Sequence, residues 1–237
     1  YAVQGKALLS QSGHSFFESY ADLSIAPCNR YAGRASSARK DVYSDYQRTP
    51  KASPAWVNRA TAMVVALYEQ NQLVAAQQLC EDLMAEVNSS SATEAIATVY
   101  ITLSRLLHRR QQTVRATRLL EQLASILQLG NYARFVSQLA QESLRQAYIS
   151  GKSASLDSLA QRYRLAELLA EGYWDSARPH DECWERYGLA CVYWLLGRGA
   201  KVRACRLLKV LDDSLRHSEL SVRRLIIEAN LMVAGNS

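Results

Sequence analysis

The chain has 237 residues, of which 49% are hydrophobic and 21% charged, a balance that excludes an intrinsically disordered chain and favours a soluble globular protein. No stretch approaches the roughly 18 uninterrupted apolar residues that a membrane span needs, so we expect no membrane partner. The net charge of +6 would suit a nucleic-acid partner, but acidic residues are interleaved with the basic ones, which indicates solvated helix faces.

The start of the chain and its cysteines bear on where the protein works. No basic run precedes an apolar one at the N-terminus, so we expect no signal peptide, and a start at Tyr1 rather than Met suggests an excised fragment. The five cysteines are odd in number and include no Cys-x-x-Cys. Because Cys80, Cys191 and Cys205 lie among apolar residues in helical patterns, we predict buried, reduced thiols and a cytoplasmic location.

Apolar residues repeat with a helical period along the whole chain, and no run alternates apolar with polar residues, so we predict no sheet. Ser53 offers an N-cap in front of Pro54 at the first position of a helix. Ser91 and Glu94 have the spacing of a capping box, which predicts another helix start. No proline lies between Pro54 and Pro179, so long helices are allowed there.

A small residue recurs five positions after the linker that opens every second helix. The intervals between successive copies are 38, 40, 44 and 44 residues. An alanine near a tight turn lets two antiparallel helices approach closely, and the leucines beyond it fill the wider gap between neighbouring pairs. The five positions are Ala38, Ala76, Ala116, Ala160 and Ala204.

Repeats of about forty residues built in this way predict an all-α fold of the tetratricopeptide-like class. We expect about five antiparallel helix pairs stacked as an α-solenoid, a right-handed superhelix that forms a single helical-repeat domain over 1–237. A short helix at about 2–10 precedes the pairs and another at about 219–234 follows them. The last helix would expose a face suited to a further pair, which again suggests a fragment of a larger regulator.

Three segments carry a resemblance to a known family. They are 66–76 (ALYEQNQLVAA), 131–134 (NYAR) followed by Glu142 and Arg145, and 187–196, which is followed by the alanine and leucine pair of the last repeat. In order and spacing, over about 33–234, they resemble the superhelical region of the MalT-type, large ATP-dependent LuxR-family transcriptional regulators.

The resemblance implies an effector-sensing and signalling domain of such a regulator. In that family the superhelix binds a small-molecule inducer or a regulatory protein and controls the other domains of the full-length regulator. Contact with DNA would occur only through a C-terminal helix-turn-helix domain, which is absent from this sequence. The phosphate-binding motif Gly-x-x-x-x-Gly-Lys-Ser/Thr is also absent, so we predict no enzyme activity and no cofactor.

Two other functions are compatible with the same pattern. A generic tetratricopeptide-type scaffold would hold a partner helix or peptide in its groove and mediate protein–protein interaction. A helical repeat that binds RNA or DNA is suggested by the net charge and by basic clusters such as Arg109 with Arg110 and Lys201 with Arg203. Solvated helix ends are the favoured explanation of those clusters, since no aromatic residues are interleaved with them to stack on bases.

The candidate binding residues lie on the first helix of each pair, which lines the concave face of such a superhelix. Glu142 and Arg145 are three residues apart on one predicted helix, and Arg134 lies eight residues before Glu142, so the three share a face. This polar patch is either an effector contact or a structural ion pair between stacked helices. The candidate ligand-binding residues are Tyr68, Tyr100, Arg134, Glu142, Arg145 and Tyr187.

No arrangement of residues predicts a catalytic or a metal site. The sequence Pro-His-Asp-Glu-Cys-Trp around His180 and Cys183 contains metal-ligand types, but adjacent residues rarely face one ion and no second ligand pair lies at zinc spacing. We interpret it as a loop followed by a helix start. The irregular stretch 171–181 is flanked by aromatic residues and is a further candidate binding loop.

Overall fold

A computed structural model describes residues 2–11, 15–31, 35–51, 53–87, 91–128, 132–170, 174 and 181–215. Within these ranges the chain forms helices and no strand, which confirms the all-α prediction. None of the helices found there is both long and apolar enough to cross a bilayer. The helices are α1 (Ala2–Gln11), α2 (Ser15–Tyr31), α3 (Ala35–Arg48), α4 (Pro54–Glu69), α5 (Leu73–Glu86), α6 (Thr93–Arg109), α7 (Thr113–Leu127), α8 (Ala133–Ile149), α9 (Ser153–Arg162), α10 (Leu165–Ala170), α11 (Glu182–Gly197) and α12 (Lys201–Leu215).

The chain divides into two compact units, an N-terminal unit (Tyr1–Leu123) and a C-terminal unit (Ala124–Ser237). In the N-terminal unit α4 is central, because α2, α3, α5 and α6 all pack against it, while α1 packs on α2. Helix α4 is buried nearly all round, and its start agrees with the prediction: Ser53 is the N-cap and its hydroxyl accepts from the Trp56 amide at 3.1 Å.

In the C-terminal unit α11 is central and packs against α8, α9, α10 and α12. Its side chains form one apolar core with residues of α8, α9 and α12, including the fully buried Leu144, Leu189 and Leu208. The rings of Trp174 and Trp184 stack with centroids 5.0 Å apart at the edge of this core. In each unit, therefore, the neighbouring helices pack around one largely buried helix.

Four helix pairs are joined by the same three-residue turn. The second residue of each turn has a positive φ, at Asn71 (58°), Gln111 (62°), Gly151 (65°) and Gly199 (73°). Its amide donates to the carbonyl three residues back, and the next amide donates to the carbonyl five residues back, all at 2.9–3.1 Å. This is the Schellman arrangement, which satisfies helix-end carbonyls and reverses the chain into the next helix.

The small residue after the turn is correctly predicted in three of the four described cases. Ala76, Ala116 and Ala204 are buried, and each donates its amide to the N-cap carbonyl of its helix. At Ala116 the neighbouring helix is in direct contact, since the Ser104 hydroxyl donates to the Ala116 carbonyl at 2.9 Å. The side chain of Ala38 lies outside the described residues.

The prediction for Ala160 is wrong in register. Helix α9 begins at Ser153, so the residue equivalent to the three alanines is Leu156, and Ala160 lies one turn further along. Leucine fits there because the facing residue in α11 is Gly197: a Cβ added to Gly197 would lie 2.2 Å from Leu156 Cδ1. At this contact the small residue is therefore Gly197 on α11, and the large residue is Leu156 on α9.

Two further expectations have mixed outcomes. The helix predicted to start after Ser91 begins at Thr93, with Ala92 as its N-cap. The short leading helix is present as α1, whereas the trailing helix at 219–234 lies outside the described residues. The right-handed superhelix and the single domain over 1–237 stay predictions.

Candidate functional site

Buried polar side chains concentrate on one set of helices. Fifteen polar or charged residues are buried in the described part of the chain, and all except Gln77 lie on α2, α4, α6, α8 and α11. These are the first helices of successive pairs. Because a buried polar group without a partner costs about 1–3 kcal/mol, its position is constrained by the partners that satisfy it. The first helices are therefore where a specific site is expected.

The densest group is an ionic cluster in the N-terminal unit, with Arg59 of α4 at its centre. The Arg59 guanidinium contacts the carboxylates of Asp22 and Glu18, both at 3.2 Å, and donates to the Thr49 hydroxyl at 2.7 Å. Its side chain is only 9% exposed. Burial of a charge in this way requires paired partners, which the neighbouring helices supply. The ionic cluster consists of Lys6, Glu18, Asp22, Asp45, Arg48 and Arg59.

Lys6 of α1 connects α2 to α3 through the cluster. Its ammonium lies 2.5 Å from Asp22 and 3.0 Å from Asp45, and Arg48 adds a 2.7 Å contact to Asp45. The cluster thus contains three cations and three carboxylates, so its formal charges cancel. Four helices that are separate in sequence meet at this one point.

This environment shifts the pKa values of Asp22, Asp45 and Lys6, and the balance between burial and ion pairing differs from one group to the next. Burial raises the pKa of Asp22 above its usual range despite the two adjacent cations. Burial also opposes ionisation of Asp45, but hydrogen bonds from Arg48 and Lys6 outweigh it and lower the pKa of that carboxyl. For Lys6, the bonds and charges of Asp22 and Asp45 outweigh burial, so its pKa is raised.

A groove of about 720 Å³ opens over the ionic cluster; we call it the N-terminal groove. Its volume is within the range of about 300–1,000 Å³ typical of small-molecule sites. The walls offer both signs of charge, several hydroxyls and one aromatic ring, Phe16, which is 44% exposed. The lining residues that carry these groups are Ser10, Ser15, Phe16, Glu18, Asp45, Arg48, Thr49, Ser53 and Arg59.

The predicted candidate Arg134 lies in a second polar group, in the C-terminal unit. Its guanidinium contacts the Glu182 carboxylate of α11 at 2.8 Å, and its carbonyl accepts from Arg186 at 3.0 Å. Arg186 is itself buried and lies 2.5 Å from Glu182. Arg134 is therefore part of the contact between α8 and α11.

Glu142 and Arg145, also predicted candidates, pair with each other along α8. Two contacts join them, at 2.5 and 3.2 Å, and Gln146 donates to the same carboxylate at 2.9 Å. Glu142 is almost completely buried, whereas the Arg145 side chain is 28% exposed. Arg134 makes an interhelical salt bridge to Glu182 of α11, whereas Glu142 and Arg145 pair with each other along α8.

The three candidate tyrosines are half-buried. Tyr68 packs against the apolar core of the N-terminal unit, and Tyr100 lies on α6 of the same unit. Tyr187 packs against the core of the C-terminal unit. The rings of Tyr68 and Tyr187 thus have a packing role, and none of the three tyrosines lines the N-terminal groove.

Sequence reasoning missed the ionic cluster, although a signal for it exists. Asn58 and Arg59 interrupt a helix whose other residues are almost all apolar and buried. A charge within such a run predicts a buried ion pair. The carboxylates that pair with Arg59, those of Asp22 and Glu18, lie 37 or more residues away, and no local pattern connects them to it.

Two buried cysteines, Cys80 and Cys191, are unsuited to nucleophilic chemistry. Burial raises the pKa of Cys80 and of Cys191 to about 12, so both thiols stay protonated near neutral pH. Cys205 was predicted to be buried but is half-buried, as is Cys183. Among the described residues no three His, Cys, Asp or Glu side chains are grouped to hold a metal ion, and His180 lies outside them.

Comparison with known proteins adds no assignment. No family model, curated protein or solved structure matches this chain. The residues and the two polar groups described above are therefore the only basis for a function.

Proposed function

We propose that this chain is an effector-sensing helical module and that the N-terminal groove receives a small polar effector. The observation that carries the proposal is the combination of a groove of ligand size with a paired charge cluster in its lining, centred on the buried Arg59. Charges held in place before a ligand arrives lose little freedom on binding, and such preorganisation favours affinity and specificity.

The charge balance of the groove narrows the class of effector. Its lining carries two carboxylates, Glu18 and Asp45, and two guanidinium groups, Arg48 and Arg59. A ligand with a large net charge would meet as much repulsion as attraction there. A neutral or zwitterionic molecule with several donors and acceptors would exchange its water contacts for the hydroxyl and charged groups, and an apolar edge would pack on Phe16.

The position of the groove among four helices supports a sensing role. Its lining comes from α1, α2, α3 and α4, so a bound effector would contact four successive helices at once. A ligand present at a hundred times its dissociation constant stabilises the folded state by about 2.7 kcal/mol. That stabilisation would favour one arrangement of the four helices and provide the signal.

The regulator context of the proposal comes from the sequence. The motifs at 66–76 and 187–196 resemble the superhelix of MalT-type, LuxR-family regulators, and the four Schellman turns are compatible with stacked helix pairs. In that setting the right-handed superhelix would pass the binding signal to the other domains of a cytoplasmic regulator. Contact with DNA would belong to one of those domains.

A thermal-shift screen tests the effector site directly. Neutral and zwitterionic metabolites are added to the chain one at a time, and we expect at least one to raise the melting temperature by roughly 5–10 °C at saturation. The Phe16→Ala variant should weaken that ligand about tenfold, since an aromatic contact contributes on the order of 1 kcal/mol. Phe17→Ala is the matched control, because Phe17 is also exposed but does not line the groove.

A protein-interaction scaffold is the second candidate, and one observation favours it. Large apolar side chains of α1 and α2 are exposed, namely Leu8, Phe16, Phe17 and Tyr20. Exposed apolar groups on neighbouring helices are typical of protein contacts. The scaffold function replaces the sensor function under two conditions. No metabolite shifts the melting temperature, and a protein that binds the chain no longer binds the Phe16→Ala or the Phe17→Ala variant.

A further inference from the structure

A second pocket lies in the C-terminal unit, and none of its lining residues lines the N-terminal groove. It has a volume of about 430 Å³ and is bounded by α10, the end of α11 and the start of α12. Its walls are mainly apolar, with Ala166, Leu169 and Leu195 among them, and the Trp194 ring forms one side. We call it the C-terminal pocket.

Two arginines stand among these apolar walls. Arg198 stacks over Trp194, with its guanidinium carbon 5.5 Å from the ring centroid, and lies 3.7 Å from Asp157. The Trp194 indole donates to the same carboxylate at 2.7 Å, which fixes the ring. Asp157 is thus shared between two donors and compensates Arg198 only weakly.

In contrast to Arg198, Arg203 is paired with no described carboxylate. It is exposed on the first turn of α12, and no hydrogen bond or ion pair joins it to another described residue. Lys201, two residues earlier, is exposed on the same turn and adds a further positive charge. The C-terminal pocket therefore combines an apolar interior with excess positive charge, the opposite of the balanced N-terminal groove.

We propose that the C-terminal pocket binds a small organic anion whose apolar body fills the pocket and whose carboxylate contacts Arg203 and Arg198. An apolar body gains by leaving water for the alanine, leucine and indole walls. A planar carboxylate matches the fork of a guanidinium and pairs more strongly with it than a neutral group does. An inorganic anion would leave the apolar walls empty, and a neutral ligand would leave the charges unused.

This site is independent of the proposed effector site. None of its lining residues belongs to the N-terminal groove, and the two differ in the ligand class they select. Loss of one site leaves the other testable, so failure of either proposal is distinguishable from failure of the other.

The test uses 2-naphthoate as the probe and isothermal titration calorimetry as the measurement. We expect saturable binding at one site, and binding at least about tenfold weaker for 2-naphthylmethanol, which has the same rings without the charge. Arg203→Ala should weaken naphthoate about tenfold, whereas Arg206→Ala, an exposed arginine of α12 outside the pocket, should leave it unchanged.

Two further measurements separate the pocket from general charge effects. Ala166→Leu reduces the apolar volume of the pocket without altering its charge and should weaken the binding of both probes. Circular dichroism checks that each variant keeps its helix content. Vesicles containing phosphatidylglycerol should not bind the chain, because the ligand class is a soluble anion. Absence of saturable naphthoate binding, equal losses for Arg203→Ala and Arg206→Ala, or vesicle binding in place of naphthoate binding would overturn the proposal.

Discussion

In the N-terminal unit, both arginines that line the groove have a carboxylate within 3.2 Å, whereas in the C-terminal unit Arg203 borders its pocket with no acidic partner among the described residues. The first arrangement costs desolvation but leaves no net charge, so it favours a polar ligand without excess charge. The second leaves a cation facing an apolar space, which favours an anion. In the two proposed sites, the pairing of the arginines rather than their number is the basis on which we infer different ligand classes.

The largest expected effect is on the stability of the ionic cluster. Arg59→Met leaves Asp22 and Glu18 without their shared cation in a buried site, so we expect a loss of about 3–5 kcal/mol. Chemical denaturation with hydrogen exchange in α1–α4 measures it. Arg48→Met is the control: its side chain is 77% exposed, and its surface ion pair is worth less than about 1 kcal/mol. Equal losses for the two variants would show that burial is not what distinguishes them.

The next effect concerns the close contact that differs between the units. Gly197→Ala places a methyl against Leu156 Cδ1, within a core that has little room, and should cost about 1–2 kcal/mol. In a Leu156→Ala background the same change should cost nothing, because the obstructing atoms are gone. A double-mutant cycle by urea unfolding checks this, and additive losses would refute the direct contact.

A smaller effect is expected at the turns. Gln111 adopts a left-handed conformation that glycine adopts without strain, and the equivalent residues in the C-terminal unit, Gly151 and Gly199, are already glycine. Gln111→Gly should therefore stabilise the protein by about 0.5–1 kcal/mol, and Gly151→Ala should destabilise it by a similar amount. Thermal unfolding of both variants provides the measurement. A loss of stability for Gln111→Gly, or a gain for Gly151→Ala, would contradict the equivalence of the turns.

The smallest effect is a pH dependence at Lys6. The pKa of this lysine is raised above 10.5 in the folded protein, so the folded state holds the proton more tightly than the unfolded chain. Its stabilisation is complete below pH 10.5 and is lost as the pH rises through the folded pKa. At alkaline pH the free energy of unfolding falls as Lys6 loses its proton. Lys6→Met should remove this contribution to the fall. An unchanged slope would mean that the ion pairs to Asp22 and Asp45 do not form.

The sequence predicted what depends on local spacing and missed what depends on distant partners. Apolar stripes of helical period predicted an all-helical chain, and the Ser53-Pro54 pair predicted the start of α4. The small residue at Ala160 was assigned to the wrong turn, because the compensating glycine, Gly197, lies on another helix. Such exchanges of small and large residues across a contact leave no trace within one repeat.

The candidate site shows the same division. Glu142 and Arg145 form the predicted pair, since three residues separate them on one helix. The partner of Arg134 is Glu182, which is 48 residues away. In the ionic cluster, Arg59 meets Asp22 across 37 residues and Lys6 meets Asp45 across 39. Helical periodicity predicts none of these long-range pairs. The sequence therefore identified charged candidate residues but not which of the distant ones form ion pairs.

Hydrogen–deuterium exchange with and without the metabolite that gives the largest thermal shift is the most direct test of the N-terminal groove as the effector site. We predict slower exchange in peptides from α1, α2, α3 and the start of α4, and unchanged exchange in α8 and α11. Protection confined to the C-terminal unit, or absent from both units while the ligand is bound, would contradict the account.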